Sequence, residues 1–330
     1  MEAASSLARP AFEELEQYRR ELTAHCYRML GSPFEAEDAV QEALLRAWKA
    51  LDRFEGRSQL RSWLYRIATN VCLDMLGGKE RRARPMDMGP ARDPHGPIGE
   101  ILPEVTWIEP VPDRLVVLEG GDPAEVAESR ETIRLAFVAA LQHLPPRQRA
   151  VLLLCEVLKW KATEVAELLD TSVASVNSAL QRARATLDSG DIDPVDTAVS
   201  VEAEEDQDLL GRYVDAFQRY DMDALTSLIH EDATQSMPPY ELWMRGREDI
   251  FGWWLGRGIA CKGSRVIPAP AANGLPAFGQ YKPREDGKGY DPWALQVLRI
   301  VDGRIKEFTF FLSTETIFPL FGLPPHLPAE

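Results

Sequence analysis

Seven polar residues between Arg57 and Asn70 fall on one side of a helix if that stretch is helical. Gln59, Ser62, Arg66, Thr69 and Asn70 form a stripe, and Arg57 and Arg61 flank it. Amides and hydroxyls both donate and accept, and a guanidinium presents a fixed fork of donors. Such a face suits a polyanion that also offers base edges. Lys79, Arg81, Arg82 and Arg84 follow as a second basic cluster, and Phe54 precedes the stretch as an exposed-looking aromatic. A second set, Ala174, Asn177, Ser178, Gln181 and Arg182, also falls on one side of a helix. Short polar side chains there could reach base edges, Gln181 and Arg182 could bond bases or phosphate, and Lys161 and Arg184 could meet phosphates. A third set could do acid–base chemistry: His230 with Asp232, among Trp243, Arg247, Trp253, Trp254, Gln296 and Phe311.

These residues need elements to hold them. Leu60, Trp63, Leu64, Ile67, Val71 and Met75 repeat at helical spacing, so a helix starts after Gly56 with Ser58 as its cap. Before it, Phe12 to Leu30 reads as one long helix, stopped by Gly31 and Pro33. Glu35 to Leu51 reads as another, with Val40, Leu44, Ala47 and Leu51 inward and Asp38, Gln41 and Glu42 outward. Pro85 to Gly121 has no sustained period and is rich in proline and acid, the composition of a linker. An island of bulk, Trp107-Ile108-Glu109-Pro110, sits inside it.

Pro123 to Leu144 is helical by period, and Pro145-Pro146 start a further helix carrying Val151, Leu152, Leu154, Cys155 and Leu158. Thr163 to Leu169, a turn at Asp170-Thr171-Ser172, and Val173 to Leu187 have the outline of a helix-turn-helix, with Val173, Val176, Leu180 and Leu187 inward. Ser189 to Asp208 is an acidic tether. Beyond it, Leu209–Tyr220 and Met222–Ile229 read as helices. Five alternating runs follow, at 233–237, 264–269, 275–282, 293–300 and 304–311, with a hairpin at Asp302-Gly303.

Charge sorts along the chain. Residues 1–84 carry 14 basic and 13 acidic side chains, 85–142 carry 4 and 11, and 189–330 carry 13 and 23, within a total of −15. Acid therefore lies away from the proposed polyanion contacts, where it repels non-specific phosphate. Cys26, Cys72, Cys155 and Cys261 lack metal-ligand or disulfide-framework spacing. They suit a reducing cytoplasm. No apolar run reaches a membrane span, and MEAASSLARP lacks the apolar stretch of a signal peptide.

Three stretches carry a family resemblance. FEGRSQLRSWLYRIATNVCLD resembles the promoter-melting region of extracytoplasmic-function sigma factors of the sigma-70 family. EDAVQEALLRAWK resembles their helix that docks on the clamp of core RNA polymerase. LPPRQRAVLLL, TEVAELL and SVASVNSALQRARATL resemble the region that reads the upstream promoter box, with Asp170 where that family usually has glycine. The stretch from residue 207 is similar, by pattern, to the SnoaL-like cone.

The resemblance implies a multidomain chain of two all-α sigma domains and a C-terminal α+β cone. Its expected boundaries are 10–84 for region 2, 85–122 for the linker, 123–188 for region 4, 189–206 for the tether and 207–330 for the cone. It implies Asp38, Gln41 and Glu42 as polymerase contacts, and Phe54, Arg57, Arg61, Arg66 and Asn70 as melting residues. Lys161, Thr163, Asn177, Ser178, Gln181, Arg182 and Arg184 become upstream contacts. Core polymerase and promoter DNA are the expected partners. No membrane, cofactor or metal is expected, and the cone is expected to regulate in cis in place of a separate anti-sigma factor. His230, Trp243, Trp253, Trp254 and Gln296 would line a cavity or an interdomain contact, leaving room for an unidentified small ligand. Two alternatives stay open: a helix-turn-helix regulator that senses a small molecule, and an enzyme in the cone. The melting helix weighs against the first, and a lone histidine between a helix and a strand is more often a capped or surface residue than a catalyst.

Overall fold

The computed structural model describes residues 12–54, 59–117, 122–189 and 204–329. In chain order the helices are Phe12–Glu16 (α1), Arg19–Leu30 (α2), Pro33–Ala50 (α3), Leu60–Met75 (α4), Pro85–Met88 (α5), Asp113–Val116 (α6), Pro123–Glu131 (α7), Leu135–Gln142 (α8), Pro146–Leu152 (α9), Ala162–Leu168 (α10) and Val173–Ser189 (α11). Glu204–Arg219 (α12), Met222–Leu228 (α13), Arg247–Leu255 (α14) and Thr314–Phe321 (α15) follow. The strands are Ile229–Ser236 (β1), Trp243–Arg245 (β2), Arg265–Ala272 (β3), Leu275–Pro283 (β4), Tyr290–Val301 (β5) and Arg304–Phe311 (β6).

The chain divides into two units. One comprises residues 1–81 and 115–192, the other 82–114 and 193–330.

The first unit is all-helical. The expected helix over 12–30 is two helices: the chain tightens at Tyr18, which donates to the Leu15 carbonyl, and restarts at Arg19. Pro33 does not merely end α2. It opens α3, where Ser32 caps by accepting from the Glu35 amide. The expected cap Ser58 lies outside the described residues, and α4 begins after Gln59. Leu22, Cys26, Val40, Leu44, Leu64, Val71 and Cys72 are buried among α2, α3 and α4. Each large apolar side chain so buried contributes about 1.5–3 kcal/mol.

Thr69, expected on the outer stripe of α4, is instead buried and hydrogen-bonded to His25 Nε2 at 2.9 Å. Burial and the neighbouring Arg28 charge push the His25 imidazole down to about 3 from its usual 6.5. The sign follows from linkage: a histidine folded neutral binds fewer protons than in the unfolded chain. Its contribution is complete above about pH 6.5 and is lost as pH falls toward 3, on the order of 4 kcal/mol in all. Denaturant midpoints between pH 7 and pH 4 should fall steeply for wild type and less for His25→Gln. Equal slopes would show that another group governs the acid limb.

The stretch 123–144 breaks at Thr132, giving α7 and α8. After α9 the helix widens to a single π turn at Leu153–Val157. Asp170 takes φ +49° in the turn before α11, and Ser172 Oγ accepts from the Ser175 amide. Aspartate tolerates the left-handed region, so the departure from glycine costs little.

The second unit is built on one six-stranded sheet, ordered β2-β1-β6-β5-β4-β3. All neighbours are antiparallel except β1 and β6, which run parallel. Asp302 and Gly303, both at positive φ, close the β5–β6 hairpin as expected. β2, α14 and α15 were not legible in the pattern. Tyr213 and Phe217 of α12, Trp254 of α14, Phe278 and Phe308 fill the space the sheet curls around. A buried polar chain runs through that core: Tyr213 donates to Gln296, Gln296 to Gln280, and Gln280 to Ser264, at 2.9, 2.9 and 3.0 Å. Every member finds a partner, so the chain orients the core without leaving an orphaned group.

The expected linker has a defined course from Arg82 to Arg114, lying on this sheet. Ala83 pairs with Trp107, and the buried Arg82 guanidinium donates to the Trp107 carbonyl at 2.6 Å and faces Glu109 at 3.4 Å. The Arg92 amide donates to the Trp243 carbonyl of β2, while Trp243 Nε1 donates to the Gly89 carbonyl. Ile101 pairs with Tyr240. At the other edge, Val111 exchanges two bonds with Asn273, and the Gly274 amide donates to Asp113. The segment is a strap fastened at both edges of the sheet.

Candidate nucleic-acid and polymerase interface

α3 presents Asp38 and Gln41 exposed and Glu42 half-buried on one stripe. Gln41 donates to Glu37 at 3.1 Å, and Glu42 pairs with Arg46 at 2.7 Å. The same stripe carries Leu45 and Trp48, 46% and 41% exposed. Sequence reasoning missed both. Leu45 lies three residues beyond Glu42 and Trp48 three beyond Leu45, both outside the Val40–Leu44–Ala47–Leu51 row, which is the signal that could have found them. Large exposed apolar side chains ringed by charge mark contact surfaces.

On α4 the expected melting residues separate into two groups. Arg66 and Asn70 are exposed on the outer face. Arg61 is instead engaged: it donates to Glu21 at 2.8 Å and lies over the Tyr65 ring at 5.2 Å. Phe54 is not a free aromatic, since it packs on Trp63 with ring centroids 4.9 Å apart. Arg57 lies outside the described residues. In the second basic cluster Lys79 and Arg81 are exposed, while Arg82 is buried. Lys79 pairs with Glu35, Arg81 bonds His143, and Arg84 pairs with Asp87. Arg84 finds its partner three residues on, whereas Lys79, Arg81 and Arg82 meet groups far along the chain.

On the helix-turn-helix, Lys161 and Thr163 are exposed at the start of α10. Along α11, Asn177, Ser178, Gln181, Arg182 and Arg184 are all exposed. Arg182 donates to Ser178 at 2.6 Å, and Arg184 pairs with Glu156. Asn177, Gln181 and Arg184 line a surface groove of about 400 Å³ with Leu180, Ala185 and Asp188. Val173, expected inside, is exposed instead. The face is therefore polar, shallow and open, with donors and acceptors spaced along one helix, the arrangement that suits a DNA groove.

The C-terminal set does not converge. Trp253 and Trp254 are core residues, and Trp254 Nε1 donates to Gln235 at 2.7 Å. Gln296 belongs to the buried polar chain, and Trp243 holds the strap. His230 Nδ1 faces Lys306 at 3.3 Å and accepts from the Asp232 amide. The bulge between Ile229 and Thr234 turns this group to the sheet's flank. Among the described residues, no cluster of His, Cys, Asp and Glu could hold a metal, and no helix is long and apolar enough to cross a membrane.

Two helical DNA-facing regions ahead of a SnoaL-like sheet define a class of transcription protein, and comparison with known proteins agrees. Residues 15–82 match Sigma-70 region 2, 134–187 match Sigma-70, region 4, and 210–308 match the SnoaL-like domain. The chain is 48% identical over 314 residues to the ECF RNA polymerase sigma factor SigG of Mycobacterium tuberculosis, covering 94% of this chain and 83% of that protein. It is 32% identical over 228 residues to SigJ of the same organism, covering 67% and 62%. The crystal structure of M. tuberculosis SigJ shares the fold, with a TM-score of 0.59 and 24% identity over 95% of this chain and all of that one. The chain belongs to the ECF RNA polymerase sigma factors that carry a C-terminal SnoaL-like domain.

Proposed function

We propose that this sigma factor carries its own regulator: the SnoaL-like domain controls transcription initiation in cis by holding the strap. The observation that carries this reading is the fastening of residues 82–114 at both edges of the sheet, by Arg92 and Gly89 to Trp243 and by Val111 and Asp113 to Asn273 and Gly274. That segment is the connection between regions 2 and 4. A connection held on a third domain limits the placements those regions can take. No separate anti-sigma factor is needed, and the protein works in the cytoplasm without a cofactor.

In this reading Asp38, Gln41 and Glu42, with Leu45 and Trp48, face core polymerase. Arg66 and Asn70 follow the melted strand, Phe54 on Trp63 supports the base-capturing loop with Arg57, and Arg61 joins them on leaving Glu21. Lys161, Thr163 and Arg184 meet phosphates, while Asn177, Ser178, Gln181 and Arg182 meet base edges. The C-terminal domain serves control and not catalysis in this reading: His230 and Asp232 face Lys306, and aromatic rings pack the interior.

Asn273→Ala removes the acceptor for Val111 and leaves a buried amide unpaired, a loss of about 1–3 kcal/mol. Combined with Trp243→Phe, it should change run-off transcription several-fold and expose 89–112 to protease. If the double variant transcribes as wild type while its strap is cleaved, the strap has no regulatory role.

A further inference from the structure

Cys261 ends the 3-10 turn Arg257–Cys261 that follows α14, and it is half-buried. The chain bends directly after it. The Ser264 amide donates to the Cys261 carbonyl at 3.0 Å, and Gly263 between them takes φ +82°. This bend lies along the end of β4. Ser264 Oγ accepts from Gln280 at 3.0 Å, and a Cβ on Gly263 would meet the Pro283 ring at 3.9 Å. Three side chains converge on the Cys261 sulfur: the Gln280 amide, the Lys282 ammonium and the Trp293 indole N–H. Gln280 is fully buried and already fixed by Ser264 and Gln296. Lys282 Nζ stands 3.0 Å from the centroid of the Trp293 ring. The negative face of an indole attracts a cation and so narrows where the amine can go. Trp293 and Cys261 both pack on the hydrophobic core. A thiol and an amine are therefore held in contact by groups that are themselves held.

Burial pushes the Cys261 thiol up and the Lys282 ammonium down from their usual values. Both shifts favour the uncharged forms, a thiol beside an amine with a free lone pair. A thiol kept protonated reacts slowly with oxidants, because the thiolate is the nucleophile. Such a pair is a poor scavenger and answers sustained exposure. Its neighbour is the strap: α14 carries Gly252, where a Cβ would meet Pro94 Cγ at 3.4 Å, and Gly256, where one would meet His95 Nδ1 at 3.8 Å.

We propose that Cys261 and Lys282 are an oxidant-sensing pair, which hydrogen peroxide joins through a covalent N–O–S bridge that fastens the turn after α14 to β4. One peroxide passes an oxygen to the sulfur: an S–O bond forms, the O–O bond breaks, and water leaves a sulfenic acid behind. A second passes an oxygen to the Lys282 nitrogen, giving a hydroxylamine and water. The hydroxylamine oxygen then attacks the sulfenic sulfur, the S–OH bond breaks, and a third water leaves. Sulfur and nitrogen each give up two electrons, and the two peroxides take four. The bridge steadies α14, the seat of Pro94, and so tightens the hold on the strap. Its bearing on transcription rests on the control in cis proposed above.

The test treats the full-length chain with hydrogen peroxide and digests it without reductant. The peptides holding Cys261 and Lys282 should appear joined, with a net gain of about 14 Da, one oxygen in and two hydrogens out. Dithiothreitol should release them. Lys282→Arg should abolish the join and send Cys261 on to sulfinic acid. Cys155, a half-buried thiol beside Glu156 and Arg184, is the internal comparator and should follow that ordinary ladder in both chains. Peroxide should slow protease cleavage within 89–112 several-fold in wild type and leave it unchanged in Lys282→Arg. A wild-type chain whose Cys261 stays unmodified, or passes to sulfinic acid with Lys282 unjoined, would overturn the pair. A joined chain cut at the untreated rate would overturn its sensing role. Neither result touches the fastening of the strap itself, which the Asn273 and Trp243 variants judge.

Discussion

A chain with Asp38→Lys and Glu42→Lys together should no longer capture core polymerase, while keeping its helical content and unfolding midpoint. Both side chains lie on the open stripe of α3, and Glu42 pairs with Arg46 beside them. Exposed pairs of this kind are worth little to folding, so reversal should cost the fold less than about 1 kcal/mol. At an interface the same reversal sets like charge against like, at a cost of several kcal/mol. Trp48→Ala is the apolar counterpart. An aromatic anchor at the centre of a contact typically contributes about 2 kcal/mol or more, so capture should weaken about thirty-fold. Pull-down of core polymerase by the full-length chain reads both. Wild-type capture by the double lysine chain would remove α3 from the interface.

Gln181→Ala should relax promoter preference at one or two upstream base pairs, with about 1–3 kcal/mol less discrimination at each. Gln181 stands exposed on α11 with Asn177 one turn before it, bordering the same groove. An amide can bond an adenine in two places, so its loss should be felt at particular bases and not across the site. Lys161→Ala makes the contrast. Its ammonium sits at the first turn of α10, and its removal should weaken all sequences alike and reduce the salt slope by about one. Binding profiles over a randomised upstream box, at two salt concentrations, separate the two. An unchanged profile for Gln181→Ala would place the reading residues elsewhere on the helix.

Local pattern carried the elements well where burial is one-sided. The inner row of α3, the turn at Asp170 and the Asp302-Gly303 hairpin are set by nearest neighbours in sequence. Where a long-range partner decides, the pattern misled. Thr69 looked outward because threonine is polar, yet His25, 44 residues away, gives it a buried bond. The cluster from Lys79 to Arg84 looked like a phosphate surface until Glu35, His143 and Glu109 came beside it. The proline-rich linker has no periodicity because its bonds are made to Trp243, Tyr240 and Asn273, far along the chain. Such a strap has no signature in its own residues. The tryptophans of the C-terminal domain were legible as important but not as to role, since core, strap anchor and cavity wall all use the same ring.

The sheet edges have a consequence for what happens when the strap is let go. An unpaired edge strand is ordinarily a template for another chain, and uncovering one invites aggregation. Here β2 is only three residues long, and β3 carries Pro268 and Pro270, which have no amide hydrogen to offer. Both edges are poor templates even when bare. If the strap is released, as the proposed control in cis requires, the bare edges resist capture by a second copy.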